Sequence, residues 1–346
     1  MIDISSISDM DLLEIFYELS THKQVASLLG IPHRTLVDHL YHNSTRYHKF
    51  YVPKKNGGCR TIMAPNQELK NIQRNLATIL SRLYKPSEGV HGFVKDRSIV
   101  TNAKIHEGQP FVLNLDLKNF FPSITFQRVV DLFEGLPFQM SRDGAVILAR
   151  ICCEDQQLPQ GSPTSPVISN LICRDLDRKF LDFTEEIESK YSRYADDITI
   201  STKLERTLPF ILYFNKNNTV FLSKRVVEII RENGFEVNYK KIRLHTCFMH
   251  QEVTGITVNQ RLNVARKFIR QIRAMFHALE KFGPELAKDH FFQYYDKKKR
   301  HVPEEQPEFI IILRGKIEFI GMVRGKNDKI YMKFLEKYDL ICRGLH

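Results

Sequence analysis

Apolar residues recur at helical spacing over much of the chain, and this periodicity predicts a largely helical protein. In residues 9–19, one helical face would carry Leu12, Leu13, Phe16 and Leu19. Pro86 and Gly234 each follow a periodic stretch, as is common where helices end. The predicted helices cover residues 9–19, 24–30, 32–41, 68–84, 123–132, 141–151, 167–183, 221–233, 264–282 and 309–323.

Shorter runs of β-branched and aromatic residues predict strands. Residues 191–201 indicate a hairpin whose turn holds two adjacent acids, Asp196 and Asp197. Residues 111–117 form another apolar run, and its only acid is Asp116, near the end. Further strands are predicted within residues 50–63, 235–244 and 251–259.

The three acids in these strands are candidate ligands for divalent cations. An Asp pair in a turn is, by itself, ordinary turn chemistry, because the short side chain bonds its own backbone. Asp116 at the end of a second strand favours another interpretation, since hard oxygen ligands suit Mg²⁺. Two such ions clamp the attacking and leaving oxygens of a phosphoryl displacement. A nucleotide polymerase needs this arrangement.

Composition narrows the class of protein. The chain has 346 residues, of which 42% are hydrophobic, and this is ample for a core. No apolar run reaches the roughly 18 residues of a membrane span, and the first residues do not resemble a signal peptide. The six cysteines show no Cys-x-x-Cys spacing. We therefore expect a cytoplasmic protein without a zinc knuckle or a disulfide framework.

The chain is basic, with a net charge of +11 and a pI near 9.3. Residues 261–346 hold 19 Lys and Arg against 11 Asp and Glu, so +8 of the excess lies there. A solvated surface would explain this charge, but a nucleic-acid-facing C-terminal lobe explains it better.

Residues 20–41 leave two interpretations open. Their helix, Gly-containing turn and helix have the outline of a DNA-reading helix-turn-helix, with Gly30 at the turn. The alternative is a plain helical pair that packs on a larger body.

Three motifs in this order resemble the reverse transcriptase family. Tyr194-Ala-Asp-Asp197 resembles its catalytic hairpin, and Asp116-Leu-Lys-Asn-Phe-Phe121 resembles its first acidic motif, 80 positions earlier. Leu158-Pro-Gln-Gly-Ser-Pro163 resembles its nucleotide-pocket loop. Two further motifs, Asn102-Ala-Lys-Ile-His106 and Val253-Thr-Gly255, are similar to those of bacterial retron reverse transcriptases.

The resemblance covers roughly residues 45–346 and implies an α+β, right-hand polymerase fold of fingers, a palm with an antiparallel sheet, and a thumb. We expect an N-terminal helical segment over residues 1–45, fingers and palm over 46–260, and a basic helical thumb over 261–346.

The resemblance also implies roles at the active site. Two Mg²⁺ ions would be held by Asp116, Asp196, Asp197 and the backbone carbonyl of Leu117. The deoxynucleotide substrate (dNTP) would be bound by Lys54, Arg60, Phe121, Gln160, Gly161 and Lys241. Among these, Phe121 would be a steric gate against a ribose 2′-OH, although a core phenylalanine is the alternative. Lys241 would protonate the leaving pyrophosphate.

RNA contacts are expected at three places. The candidates are Asn102, His106, Val253, Thr254, Gly255, Arg266, Lys267, Arg270 and Arg273. Asn102 and His106 have a structural alternative, in which they bond each other or a neighbouring carbonyl. Gly255 has one too, because glycine commonly marks a strand bulge.

As a whole, the resemblance implies an RNA-directed DNA polymerase that copies part of its cognate noncoding RNA. Priming from an RNA 2′-OH would give branched msDNA, in an antiphage defence system with a separate effector protein. One alternative is another bacterial reverse transcriptase, of the group II intron or diversity-generating type. Others are a noncatalytic RNA-binding protein and a helix-turn-helix regulator.

Overall fold

The computed structural model describes residues 6–42, 46–53, 57–215, 219–294 and 308–344. Within these ranges the chain folds into two compact units. The first unit draws on Met1–Asp96, Leu113–Ile200 and Leu204–Arg243. The second draws on Arg97–Val112, Ser201–Lys203 and Leu244–His346. The predicted division at residues 45 and 260 stays a prediction.

Helices make up most of the regular structure. They are α1 (Asp9–Glu18), α2 (His22–Leu28), α3 (His33–Val37), α4 (Gln67–Leu83), α5 (Ile99–Ile105), α6 (Phe120–Ser123), α7 (Phe126–Glu134), α8 (Arg142–Cys152), α9 (Ser165–Ile172), α10 (Arg174–Glu186), α11 (Leu208–Ile211), α12 (Lys224–Glu232), α13 (Arg266–Tyr294), α14 (Phe309–Arg324) and α15 (Lys329–Gly344). No helix of the described ranges is long and apolar enough to cross a membrane.

The strands form one larger sheet and three hairpins. They are β1 (Tyr47–Pro53), β2 (Cys59–Pro65), β3 (Phe111–Asp116), β4 (Ser189–Tyr194), β5 (Asp197–Thr202), β6 (Leu212–Phe214), β7 (Val220–Leu222), β8 (Arg243–Thr246), β9 (Glu252–Val253) and β10 (Ile256–Thr257). The larger sheet is antiparallel and has the strand order β4-β5-β3-β8. The hairpins are β1–β2, β6–β7 and β9–β10.

Several helices begin where a side chain caps the first turn. Thr125 Oγ1 accepts a hydrogen bond from the backbone N–H of Arg128, so α7 begins at Phe126 rather than at residue 123. Ser223 Oγ accepts from Val226 in the same way. Consequently α12 begins at Lys224, and residues 221–222 belong to β7 rather than to the predicted helix.

Two more sequence predictions needed correction. Apolar periodicity predicts one helix over residues 167–183, but the chain turns at Cys173 between α9 and α10. This turn lets α10 pack on β4, where the Phe180 and Tyr191 rings stack with their centroids 5.1 Å apart. In the second unit, Thr254 and Gly255 both have positive φ and form a two-residue turn between β9 and β10. The bulge interpretation of Gly255 is therefore wrong.

The core of the second unit lies between α13, α14 and α15. Its buried side chains include Ile272, Phe276, Leu313, Ile317 and Phe334. The predicted end of the helix near residue 282 agrees with a break in α13 at Gly283, which has φ 73° and precedes Pro284.

Candidate active site

Three carboxylates meet at one end of the larger sheet. Asp116 is the last residue of β3, Asp196 lies in the turn between β4 and β5, and Asp197 begins β5. Each offers an oxygen within 4.8 Å of the others. The backbone N–H of Leu117 donates to the Asp196 carbonyl at 3.0 Å, so the turn is held against the end of β3.

The turn that carries Asp196 has an unusual backbone. Ala195, directly before Asp196, has φ 57°, in the left-handed region that residues other than glycine rarely adopt. Such a conformation costs on the order of 1–3 kcal/mol and persists only where the surrounding structure imposes it. Gly92 packs against this turn, and a Cβ atom there would clash with the Ala195 nitrogen.

Burial and neighbouring charges raise the pKa of Asp196 and of Asp197. The Asp197 side chain is exposed on one side, but its neighbours still displace part of its hydration. This desolvation, and then the charges of Asp196 and Asp116, raises the pKa of Asp197 to about 7. Burial, followed by the charge of Asp116, also raises the pKa of Asp196. A bound divalent cation would relieve the repulsion between these crowded carboxylates, and their oxygens are the hard ligands that Mg²⁺ prefers, so the residues fit Mg²⁺.

Two polar residues hold the Asp116 carboxylate. Asn238 Nδ2 donates to one carboxylate oxygen at 2.9 Å, and the ammonium group of Lys241 pairs with the other. The backbone N–H of Asn238 also donates to the Asp116 carbonyl at 2.8 Å. A 3₁₀ turn over Tyr239–Lys241 brings both side chains to the same carboxylate, which explains their spacing of three.

The two neighbouring phenylalanines have different environments. Phe120 is 4% exposed and stacks on Phe235, with 5.7 Å between ring centroids, so it is a core residue. Phe121 is half-buried, and its ring centroid lies 6.3 Å from that of the exposed Phe93. The position of Phe121 leaves part of its ring accessible. Its role as a steric gate stays a prediction.

The loop with Gln160 and Gly161 packs on β2. The backbone N–H of Met63 donates to the Gln160 carbonyl at 2.9 Å. Gly161 has φ 132°, and a Cβ atom there would lie 2.6 Å from the Met63 carbonyl oxygen. Glycine at position 161 therefore permits a close approach, within the described residues, to the backbone of β2, and its role in binding dNTP stays a prediction.

Of the two cations expected to bind the dNTP on either side of the β1–β2 turn, Arg60 lies on β2. Arg60 is exposed on β2, and its charge acts to lower the pKa of Asp196 against the larger effect of burial. Lys54 lies outside the described residues.

The retron-like motifs meet within the second unit. Asn102 Nδ2 donates to Thr254 Oγ1 at 3.4 Å, and Thr254 Oγ1 donates to the Ile99 carbonyl at 3.2 Å. His106 Nδ1 lies 2.6 Å from Ser201 Oγ. Asn102, His106 and Val253 are buried, while Gly255 is exposed at the hairpin turn. These contacts join α5 and the residue after it to the β9–β10 turn and to β5. The RNA contacts expected for these residues stay predictions.

The cations predicted to contact RNA lie on one side of α13. The exposed residues are Arg266, Lys267, Arg270 and Arg273. Ile269, Ile272, Met275 and Phe276 on the other side are buried in the core of the second unit. The helix is therefore amphipathic, as its sequence predicts.

Comparison with known proteins decides the family. Residues 52–294 match the family described as reverse transcriptase (RNA-dependent DNA polymerase). The chain belongs to the reverse transcriptase family. With the helices and the antiparallel sheet described above, this match confirms the predicted α+β, right-hand polymerase fold.

The similar curated proteins are retron reverse transcriptases. The Retron Ec86 reverse transcriptase of Escherichia coli is 31% identical over 304 residues, which cover 87% of this chain and 83% of that protein. The Retron Mx65 reverse transcriptase of Myxococcus xanthus is 36% identical over 283 residues, which cover 74% of this chain and 62% of that protein. The chain thus spans about three fifths of the length of the Myxococcus relative. These matches confirm the predicted resemblance to retron reverse transcriptases.

Among solved structures, telomerase from Candida albicans in complex with a fragment of telomeric RNA has a TM-score of 0.47 to this chain. Its sequence identity is 10%, and the match covers 85% of this chain and 63% of the telomerase chain.

Sequence reasoning missed the groups that surround the turn before Asp196. Arg193, Asp177 and Asn170 are all buried next to it, together with Gly92. Two signals were available. Arg193 lies two positions after Tyr191 and so on the same face of β4, and Asp177 is an acid on the face of α10 that also carries Phe180 and Thr184, although charged residues are rarely buried unless paired.

Proposed function

We propose that this chain is an RNA-directed DNA polymerase that copies part of a cognate noncoding RNA into DNA. The observation that carries the proposal is the meeting of Asp116, Asp196 and Asp197 at the end of the sheet in a chain of the reverse transcriptase family. Carboxylate oxygens are the ligands that Mg²⁺ prefers, and two such ions promote the phosphoryl displacement that polymerases carry out.

In the proposed site, Asp116, Asp196, Asp197 and the Leu117 carbonyl hold two Mg²⁺ ions. When bound, such ions activate the primer hydroxyl and stabilise negative charge on the leaving pyrophosphate. The protein's contribution is to hold the carboxylates in place. Asn238 orients Asp116, and the N–H of Leu117 fixes the turn that carries Asp196.

The incoming dNTP lies beside these carboxylates in the proposed mode. Lys54 and Arg60 bind its triphosphate, while Gln160 and Gly161 form the floor of the nucleotide pocket. The half-buried ring of Phe121 excludes a ribose 2′-OH. Lys241, held at Asp116 in the structure, supplies a proton to the pyrophosphate.

We further propose a retron pathway for this activity, supported by the retron relatives. The enzyme primes from a 2′-OH of its own noncoding RNA, so that the product is branched msDNA. Residues of α5, the β9–β10 turn and the exposed cations of α13 contact the RNA. The system acts in the cytoplasm in antiphage defence, together with a separate effector protein.

The test is to express the protein with its flanking genomic RNA and to examine the nucleic acid that copurifies. An Asp196→Asn, Asp197→Asn double variant removes two of the three carboxylates. An Asp175→Asn, Asp182→Asn variant is the matched control, because it makes the same charge change on exposed side chains of α10. Gel mobility is compared before and after RNase and debranching treatment.

We expect a short DNA joined to RNA through a 2′–5′ bond, present in the control and absent from the Asp196, Asp197 variant. DNA synthesis only on an added primer and template would retain the reverse transcriptase and reject the retron pathway. A group II intron or diversity-generating enzyme would then be the better account. RNA binding without synthesis under either condition, with Mg²⁺ present, would indicate a noncatalytic RNA-binding protein.

A further inference from the structure

A buried ion pair lies directly beneath the turn that carries Asp196. Arg193 is fully buried in β4, and Asp177 is 1% exposed on α10. The guanidinium Nε and Nη2 donate to the two carboxylate oxygens, each at 2.7 Å, so the pair is bidentate. Tyr191 Oη also donates to Asp177 at 2.7 Å. Bidentate pairing fixes the plane of the guanidinium as well as its position.

A further guanidinium bond reaches the turn. Arg193 Nη1 donates to the Ala195 carbonyl at 3.1 Å. Ala195 is the residue with φ 57°, and its carbonyl belongs to the peptide bond that joins it to Asp196. The ion pair therefore acts on the peptide that sets the direction of the Asp196 side chain.

A second set of bonds connects the pair to the segment that packs on the turn. Arg193 Nη2 donates to Asn170 Oδ1 at 3.1 Å, and Asn170 Nδ2 donates to the Gly92 carbonyl at 2.9 Å. The backbone of Arg193 is also paired with this segment, through bonds with Gly89 and His91. One side chain thus touches the turn and, through Asn170, the glycine segment that covers it.

We propose that Arg193 is a positioning residue, which with Asp177 and Asn170 holds Ala195 in its left-handed conformation and so aims Asp196 at the cation site. Asp177 fixes the guanidinium, and the guanidinium fixes the Ala195 carbonyl. The inference rests on the proposed function only in taking the cation site to serve DNA synthesis. The contacts of Arg193 themselves are independent of that activity.

The choice of substitution can separate the positioning of the Asp196 turn from the stability of the fold. Removing one member of a buried ion pair leaves an uncompensated charge and destabilises the fold, whereas replacing both by apolar residues is often neutral or stabilising. An apolar replacement cannot donate to the Ala195 carbonyl. We therefore expect a double variant to retain the fold while it releases the turn.

The main variant is Arg193→Leu with Asp177→Leu. A second variant, Arg193→Lys, keeps a charge opposite Asp177 but has lost the planar fork that reaches both the carboxylate and the Ala195 carbonyl. The matched control is Gln73→Leu. Gln73 is another fully buried polar residue of the first unit, and it donates to Tyr47 Oη at 2.6 Å and to the Ile151 carbonyl at 2.8 Å.

Three measurements are made on each full-length protein: the thermal midpoint, Mn²⁺ binding by calorimetry without nucleic acid, and hydrogen exchange of the Leu117 amide. That amide reports directly on the turn, because it donates to the Asp196 carbonyl. We expect Mn²⁺ affinity to fall by about tenfold or more in both Arg193 variants, as is typical when the groups that orient metal ligands are removed. Exchange of the Leu117 amide is faster in both. Gln73→Leu lowers the thermal midpoint and leaves Mn²⁺ affinity unchanged.

Native Mn²⁺ affinity and native Leu117 exchange in Arg193→Lys would overturn the proposal, whether or not the double variant folds. The same result in a folded double variant would do so as well. A wild-type protein that binds Mn²⁺ but copies no RNA would contradict the proposed function alone. The positioning role of Arg193 would then still be judged from Mn²⁺ affinity and from hydrogen exchange of the Leu117 amide.

Discussion

Asp197 shows how a single residue couples proton binding to cation binding. Its raised pKa means that the carboxyl group is half-protonated near pH 7 in the cation-free protein. A folded-state pKa above the ordinary value of 3.8 gives a contribution to stability that is complete below that value. This contribution is lost as pH rises through about 7, because the ionised group is then forced to stay partly desolvated beside two other acids.

Cation affinity should therefore increase with pH, because a bound cation and a proton compete for the same oxygens. With a pKa of about 7 for Asp197, we expect Mn²⁺ affinity to rise roughly tenfold between about pH 6 and about pH 8. Calorimetric titration at each pH measures it. Asp197→Asn should bind more weakly and depend less on pH. Equal affinity of the wild-type protein at the two pH values would contradict this account.

Lys241 opposes the cation at the same site. Its ammonium group pairs with Asp116 and acts to lower the pKa of Asp196 and of Asp197. Lys241→Met should bind Mn²⁺ several-fold more tightly above pH 8, where the carboxylates are ionised, because a competing positive charge is gone. DNA synthesis should nevertheless slow by about 10²-fold, since a general acid is lost.

Lys240→Met is the matched control for this test, as it removes the neighbouring lysine from the same turn. Lys240→Met should change neither Mn²⁺ affinity nor the rate of DNA synthesis by a comparable amount. Slower synthesis together with weaker Mn²⁺ binding in Lys241→Met would show that Lys241 supports the cation site instead of competing with it.

At the scale of elements, local sequence predicted most helices and hairpins because their signals are short-range. Apolar periodicity places α4 correctly, from Gln67 to Leu83, with Asn66 as its cap. The division between α9 and α10 carries no such signal. The periodicity continues through Cys173, and only the packing of Phe180 on β4 requires the chain to turn there.

Gly161 gives a prediction at this scale. Gly161→Ala forces a Cβ atom towards the Met63 carbonyl at φ 132°, so we expect a loss of about 1–3 kcal/mol in the free energy of unfolding. Binding of dNTP should weaken as well, because the loop shifts on β2. Urea unfolding and the KM for dNTP measure the two effects.

Gly315→Ala is the control for that substitution. Gly315 is exposed within α14, and a Cβ atom there would have no neighbour within 4 Å. This variant should gain roughly 0.5–1 kcal/mol, because alanine is the better helix former. A stable Gly161→Ala protein with unchanged dNTP binding would remove the structural reason for glycine at position 161.

At the scale of the whole molecule, the excess of positive charge points to an RNA partner. Of the net charge of +11, an excess of 8 lies in residues 261–346, and the exposed face of α13 carries four of those cations. Charge on an exposed helical face bears more on partners than on the fold, so we expect these cations to serve binding.

Replacing Arg266, Lys267, Arg270 and Arg273 by glutamine should weaken binding of the cognate RNA and reduce its salt dependence. The slope of log affinity against log salt concentration should fall by about 3, if each cation neutralises one phosphate. Fluorescence anisotropy over a series of salt concentrations measures it. Exchanging the three arginines for lysine is the control, since it keeps the charge and should keep the slope. An unchanged slope in the glutamine variant would remove α13 from the RNA interface.

The family resemblance supplied the α+β class and the candidate site residues, and the sequence by itself determined most of the elements. These depend on interactions between neighbours in the chain: periodic apolar positions, capping side chains and turn residues. It also predicted that Asp116, Asp196 and Asp197 act together, on the strength of the three motifs in order.

Only the tertiary structure decided what holds these acids. Asn238 and Lys241 reach Asp116 from 122 and 125 positions away, and Arg193 meets Asp177 from 16 positions away. No local pattern specifies such partners, because each side chain alone is compatible with a solvated surface. Burial makes the pairing obligatory, since a charge removed from water needs a partner, and burial is a property of the folded chain.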